Sequence, residues 1–410
     1  MVDFLELFYE LIAQSGFGGL TWRHVIMLIV ACLLIFLAIV KKMEPLLLLP
    51  ISFGMLLANI PNTGLMTNAV DAALAAYEYA LATGDGLLID AARYNLDNTS
   101  WYQSGVFYNL YMGLRSVIFP SLIFLGVGAM TDFGPLLANP KTMLLGGAAQ
   151  IGIFSAFAFA HLTGMFTPYE AAVIGIIGSS DGPTTVFLAT RLAPHLLAPV
   201  AVAAYSYMAL IPIIQPPIMR VLTTKKEREC KMEQLRQVSK TEKIIFPIAV
   251  AIVCLLIAPA VAPLIGMLML GNLFKESMVV DRLSETAQGS IINTVTILLA
   301  LTVGATTDGY TFLRVETLAI VFLGLAAFML STVGGVLFGK LMYYATGGKV
   351  NPLIGSAGVS AMPMAPRVSQ AVGKKYNPTN FLLMHAMGPT VSAMIASALV
   401  AGIFLFLFGG

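Results

Sequence analysis

Apolar residues in this chain come in blocks of membrane-crossing length, separated by short polar connections, rather than at the spacing of a surface helix. About 20 mostly apolar residues cross a bilayer as a helix. On that rule membrane helices are expected over residues 25–40, 45–60, 116–130, 143–159, 196–222, 244–270, 290–306, 318–344 and 381–407. Residues 61–104 break the pattern, with Asp71, Glu78, Asp85, Asp90 and Asp97 against Arg93 alone. They read as an extramembrane acidic segment, with an interfacial helix over 68–82. Residues 169–194 and 351–373 have membrane-like composition but are interrupted by Gly, Pro, Ser and single charges. Irregular backbone at membrane depth is tolerated only where protein or a polar cavity satisfies the freed amides. Each is therefore expected to be a re-entrant hairpin or an unwound helix.

Val127-Gly-Ala-Met-Thr-Asp132 recurs as Val303-Gly-Ala-Thr-Thr-Asp308, 176 residues on, and Ile177-Gly-Ser179 recurs as Ile354-Gly-Ser356, 177 residues on. The second broken segment is thus the counterpart of the first. Paired interrupted segments in two halves point to a transporter-type site near the midplane. The expected architecture is an all-α, polytopic integral membrane protein with two internal repeats whose broken segments meet there. Its parts are membrane spans in 1–60, the acidic segment 61–104, a first repeat 105–222, a basic loop 223–243, a connecting span and outer loop 244–289, and a second repeat 290–410. The basic loop holds seven Lys or Arg against four Glu, which places it in the cytoplasm. Residues 61–104 and 272–289 then fall outside, if 169–194 enters and leaves from the outer face. The span count makes the halves parallel, although Pro259 and Pro263 in 244–270 leave room for an extra crossing that would invert them.

Composition agrees: 58% of residues are hydrophobic and 11% charged, against about 25% charged in soluble proteins. That excludes a soluble fold. A net charge of +2 leaves no footprint for nucleic acid. Cys32, Cys230 and Cys254 are too scattered for a disulfide framework and read as packing residues. The start, with Asp3, Glu6 and Glu10, lacks the basic region of a removable signal peptide. His24, His161, His195 and His385 share no ligand spacing, so no transition metal is expected. No phosphate loop or nucleotide fingerprint is present, so ATP is not expected to supply the energy.

The candidate chemistry lies in the broken segments. Asp181 sits between Gly178 and Gly182-Pro183, where a helix stops and restarts. An ionised carboxylate there costs several kcal/mol unless a cation or donors compensate. Ser179, Ser180, Thr184 and Thr185 add hard oxygens suited to Na⁺ or a proton. Equally, Asp181 can simply cap the second half-helix. In the second segment Asn351 and Ser360 offer neutral oxygens, and Gly355 and Gly358 allow close backbone approach. Arg367 either binds a carboxylate with its planar fork or snorkels to water. Tyr207, in an apolar span with Ser206 and Gln215, is a proton relay, a carboxylate ligand or an interfacial anchor. Asp132 and Asp308 lie at corresponding span ends and read as helix-end turns.

The sequence resembles the membrane β subunit of the biotin-dependent, sodium-pumping decarboxylases acting on oxaloacetate, methylmalonyl-CoA, glutaconyl-CoA and malonate. The resemblance rests on Asp181-Gly-Pro-Thr, on Leu192-Ala-Pro-His-Leu196 followed by Ala201-Val-Ala-Ala-Tyr-Ser-Tyr-Met208 and Ile213-Ile-Gln-Pro-Pro-Ile218, and on Asn351-Pro-Leu-Ile-Gly355 through Pro363-Met-Ala-Pro-Arg367 to Met384-His-Ala-Met-Gly-Pro389. It extends from about residue 116 to the C-terminus. It implies that a soluble carboxyltransferase α subunit moves a carboxyl group onto biotin on a carrier subunit. The β subunit then decarboxylates the carboxybiotin, exports Na⁺ across the prokaryotic cytoplasmic membrane and takes up an outer-side proton. A small single-span subunit and a homo-oligomeric complex are further expectations of the resemblance. It assigns catalysis to Arg367, Tyr207 and Asp181, carboxybiotin to Arg367 and Tyr207, and Na⁺ to Asp181, Asn351, Gly355 and Ser360, with Ser180 and Thr184 as added oxygens. The basic loop would dock the soluble subunits. This chain departs from the family with Gly178-Ser-Ser180 in place of Gly-Gly-Ala and with Thr390 where some members carry Asn, and residues 61–104 find no match. The alternative is a secondary Na⁺-coupled carboxylate transporter that performs no chemistry. Co-purification with a biotinylated carrier would separate the two.

Overall fold

The computed structural model describes residues 13–409, so Asp3, Glu6 and Glu10 lie outside the described residues. The regular elements within them are all helical. The longer helices, in chain order, are α1 Trp22–Val40, α2 Pro45–Ala58, α3 Ala69–Thr83, α4 Gly86–Asn98, α5 Val106–Arg115, α6 Ile118–Met130, α7 Pro140–Leu162, α8 Pro168–Ile176, α9 Gly182–Leu192, α10 Leu197–Leu222, α11 Lys240–Ile257, α12 Met267–Ser277, α13 Asp281–Ala305, α14 Val315–Ala345, α15 Met364–Tyr376 and α16 Leu383–Phe408. Five are long and apolar enough to cross a membrane, namely α1, α7, α13, α14 and α16, and two bent pairs raise that to seven. The chain is a multi-pass membrane protein. The exposed apolar face of α1, including Ile29, Leu33 and Phe36, suits lipid contact.

The expected spans shift in informative ways. Residues 45–60 yield α2, whose 14 residues reach only ~21 Å at 1.5 Å per residue, short of a bilayer core. Residues 116–130 belong to the pair α5 and α6, bent by 63° where Val117 takes a positive φ. The α10 pair bends by 62° between Met208 and Leu210, and Pro212, which cannot donate to the Met208 carbonyl, accounts for the loosened turn.

Residues 244–270 do not form one span. They break at Pro259 into α11 and, through a short irregular turn, α12. Lys243 Nζ lies 3.2 Å from Asp132 Oδ1 and 3.6 Å from Glu276 Oε2, although α11 carries the chain ~20 Å away from Lys243 before it turns. The chain therefore goes out and returns. Residues 272–276 share the end of the basic loop, which corrects the outer placement expected for 272–289 and supplies the extra crossing that the sequence left open. Most of that expected connection is helix.

The chain divides into two compact units, one running through Ile118 together with Ile297–Leu313, the other comprising Phe119–Thr296 and the chain from Arg314 onward. In the first unit Gly54 packs on the Leu301 carbonyl and Gly304 on the Ile51 carbonyl, so closely that neither has room for a Cβ. Asn59 Nδ2 donates to Thr307 O at 2.7 Å. In the second unit Gly128 packs in the same way on the Leu268 carbonyl and Gly271 on the Leu125 carbonyl. There Asn272 Nδ2 donates to Thr131 O at 3.0 Å. The repeated motifs are built alike: Thr131 Oγ1 donates to Val127 O and Thr307 Oγ1 to Val303 O. Asp132 and Asp308 accept from the amides of Gly134 and Tyr310, closing helix-end turns.

Both broken segments are hairpins within the second unit. The first descends in α8, turns through a tight 3₁₀ piece at Ile177–Ser179 and returns in α9. Its mouth is closed by His195 Nε2, 2.7 Å from Glu170 Oε1, and Tyr169 packs on Phe408 at the C-terminal end of α16. The second descends through Pro352–Gly358 and returns in α15. At its mouth the amides of Asn351 and Asn380 both donate to Cys230 O, at 2.8 and 2.6 Å, Arg228 stacks over Tyr376, and Leu383 N, at the start of α16, donates to Gln370 Oε1. The hairpins thus open at opposite ends of α16, and their tips join where Ser360 N donates to Ser179 O at 2.8 Å.

Candidate functional site

The first tip starts from its launch. Thr167 and Glu170 cap α8 reciprocally, with Pro168 at its first position, and the helix then runs apolar and buried to Ile176. The Gly178-Ser-Ser-Asp-Gly-Pro run ends it. Ser180 takes the left-handed conformation, φ 54, and Asp181 is extended as the cap of α9. Asp181 Oδ1 accepts from Thr184 N at 3.4 Å, and Oδ2 accepts from Thr184 Oγ1 at 2.7 Å and from Ser397 Oγ at 2.9 Å. Capping and candidate ligand chemistry are therefore one geometry, and the two sequence readings of Asp181 are compatible.

Asp181 is 4% exposed, and no Lys, Arg or His forms an ion pair with it among the described residues. Neutral donors soften, but do not cancel, the cost of a buried charge. The hydroxyl oxygens of Ser180, Thr185 and Tyr205 are buried without a hydrogen-bond partner among the described residues. Ser180 and Thr185 flank the turn in the chain, and the Tyr205 ring lies so close over Gly182 that no Cβ would fit. A carboxylate amid such oxygens is a hard donor set of the kind alkali cations take.

The second tip contributes Ser360. Its Oγ donates to Ser397 Oγ at 3.2 Å, so α16 links the hairpins through Ser360, Ser397 and Asp181. The backbone freed in this tip is satisfied by protein: Thr390 Oγ1 donates to Ala357 O at 2.6 Å and Gln215 Nε2 to Ser356 O at 2.9 Å. Ser356 Oγ donates to Leu353 O as Ser179 Oγ does to Ile176 O, the same turn in both repeats.

Asp181, Ser180, Thr184 and Ser360 are thus brought together. The remaining predicted residues make other contacts. The Asn351 side-chain amide is held by Arg228 O and Cys230 O, while its oxygen caps Leu353 N. Gly355 and Gly335 pack backbone on backbone, each leaving no room for a Cβ on the other. Tyr207 is buried, its hydroxyl donating to Val321 O of α14 and its ring against Gly324. Arg367 is exposed in the first turn of α15 and makes no ion pair among the described residues.

Sequence reasoning missed Ser397 and Tyr205. Serine is common in membrane helices, where it usually bonds its own backbone, so Ser397 carries no sequence signal. Tyr205 and Tyr207 are two residues apart on one helix and point to different faces, and only packing decides which meets Asp181. The loop at the second mouth is also specified. Burial pushes the Glu227 carboxyl up, but the Thr224 amide, the Tyr344 hydroxyl and nearby Lys340 outweigh it and hold the group below its ordinary range.

The chain matches, over residues 23–408, the family model described as Na⁺-transporting oxaloacetate decarboxylase β subunit. It is 56% identical to the methylmalonyl-CoA decarboxylase subunit β of Propionigenium modestum, with 99% of this chain and 100% of that protein covered. It is 52% identical to the glutaconyl-CoA decarboxylase subunit β of Acidaminococcus fermentans, with both chains covered throughout. It is 49% identical to the oxaloacetate decarboxylase β chain 2 of Salmonella typhi, over 98% of this chain and 99% of that one.

Proposed function

Because the chain belongs to the family of Na⁺-transporting oxaloacetate decarboxylase β subunits and so works in decarboxylase-coupled Na⁺ transport, we propose that it decarboxylates carboxybiotin and exports Na⁺ across the cytoplasmic membrane. Breaking the N–C bond releases CO₂ and returns a proton to the ureido nitrogen, and that proton comes from the outer side. The single observation that carries this reading is the buried Asp181 carboxylate, without a cationic partner among the described residues and bonded by hydroxyl groups where two hairpins meet.

In this reading Asp181, Ser180 and Thr184 hold Na⁺, with Ser360 closing the site from the second hairpin. Asn351 and Gly355 shape that hairpin, Asn351 by tying it to the 225–230 loop and Gly355 by seating it against α14. Arg367, exposed on the return arm, receives the carboxybiotin carboxylate as a planar two-point donor. Tyr207 supports it as the second carboxybiotin and catalytic group. The soluble α subunit, a biotin carrier and a small single-span subunit complete the complex, a homo-oligomer in this chain, with the basic loop as the dock. The opposed hairpin mouths and the return through α11 and α12 favour inverted over parallel halves.

The relatives, decarboxylase subunits by name, weigh against a carrier that performs no chemistry. The test is avidin capture from solubilised membranes. This chain is expected to co-elute with a biotinylated protein and to release CO₂ from one of the candidate acids only when Na⁺ is present. Elution without a biotinylated partner, or CO₂ release indifferent to Na⁺, contradicts the proposal.

A further inference from the structure

Ser397 is fully buried near the middle of α16, and it is the hydroxyl on which the two hairpins converge. A serine carries one donor hydrogen. Two acceptors compete for that of Ser397 at nearly equal range, Asp181 Oδ2 at 2.9 Å and Met394 O at 3.0 Å. On its other side, Ser360 Oγ donates to Ser397 Oγ at 3.2 Å. The choice between the acceptors depends on charge. A bare carboxylate makes the stronger, charge-assisted bond and draws the hydrogen. A cation or proton on Asp181 removes that advantage and releases the hydrogen to the Met394 carbonyl, within the helix's own turn. Turning the hydroxyl reorients the lone pairs that Ser360 uses. The backbone bond from Ser360 N to Ser179 O joins neutral groups and offers no comparable response to charge.

We propose that Ser397 is the positioning residue that reports the occupancy of Asp181 on the first hairpin to Ser360 on the second, and so couples Na⁺ binding to movement of the second hairpin. This rests on Asp181 holding Na⁺, as proposed above. Its two states are the two directions of one hydroxyl, which need no displacement of α16, and its effect is on coupling rather than on the bond broken.

The test uses the whole complex in proteoliposomes, with CO₂ release and ²²Na⁺ uptake measured together for the parent, Ser397→Ala and Ser397→Thr. Losing one charge-assisted hydrogen bond is expected to raise the Na⁺ concentration for half-maximal CO₂ release about tenfold in Ser397→Ala. The Na⁺ moved per CO₂ should fall as well, and Ser397→Thr, which keeps the hydroxyl, should restore both. An Ala variant whose Na⁺ dependence and transport ratio match the parent overturns the inference. So does one that is merely slower with both unchanged, since that is packing alone. If the parent itself releases CO₂ without needing Na⁺, the Asp181 reading falls instead.

Discussion

The Asp181 carboxylate is held by Thr184 and Ser397 hydroxyls with no cationic side chain paired to it among the described residues, so its charge is left for a Na⁺ ion or a proton to balance. Asp181 was legible from the sequence because a charge inside a Gly- and Pro-interrupted apolar run has few structural explanations. Ser397 and Tyr205 were not, since a hydroxyl among alanines and one of two neighbouring tyrosines gain meaning only from packing. Gly355 shows the opposite case, since the close backbone approach that the sequence expects of it is the contact found. Its lack of a side chain lets it meet the Gly335 backbone, and an added methyl would strike a carbonyl that cannot turn aside. Gly355→Ala is therefore expected to lower the stability of the purified complex by ~1–3 kcal/mol or more, seen as a drop in apparent Tm. An unchanged Tm accompanied by a weakened Na⁺ dependence would instead make Gly355 part of the ion site.

Helices and hairpins were located by composition, but their connections were not. A run such as 244–270 reads as one span because apolar residues carry no record of direction, and Pro259 permits a turn without requiring one. The contact of Lys243 with Glu276 decides it. Likewise the Asn351 amide nitrogen is tied to the 225–230 loop, more than 100 residues earlier, a partner that its own segment does not announce. The topology follows at this scale: exposed Lys240 at the start of α11 and exposed Val279 after α12 lie at one end of the protein. With the natural cysteines replaced by serine, Lys240→Cys and Val279→Cys should react with a membrane-impermeant maleimide from the same side of oriented vesicles. Labelling from opposite sides would restore the single-span reading of 244–270.

Across the whole molecule, the two halves show the same helix-to-helix contacts. In one unit α2 meets the end of α13 through Gly54 and Gly304, and in the other α12 meets α6 through Gly271 and Gly128. Between corresponding elements the first half carries α3 and α4, which have no partner in the second half. That explains why residues 61–104 answer to no repeat, although the family model, which spans residues 23–408, covers them and so corrects the expectation that they find no family match. What remains, two hairpins from opposite ends joined at Asp181, Ser397 and Ser360, is the central claim. It is tested most directly by Asp181→Asn in proteoliposomes of the complete complex, with CO₂ release and ²²Na⁺ uptake followed in one sample. The neutral amide keeps the size and the cap but removes the charge, so both activities are expected to fall together by two orders of magnitude or more, on the order of ~3 kcal/mol for a lost charged ligand. Retention of both at parental rates, in a variant that assembles normally, would contradict the account.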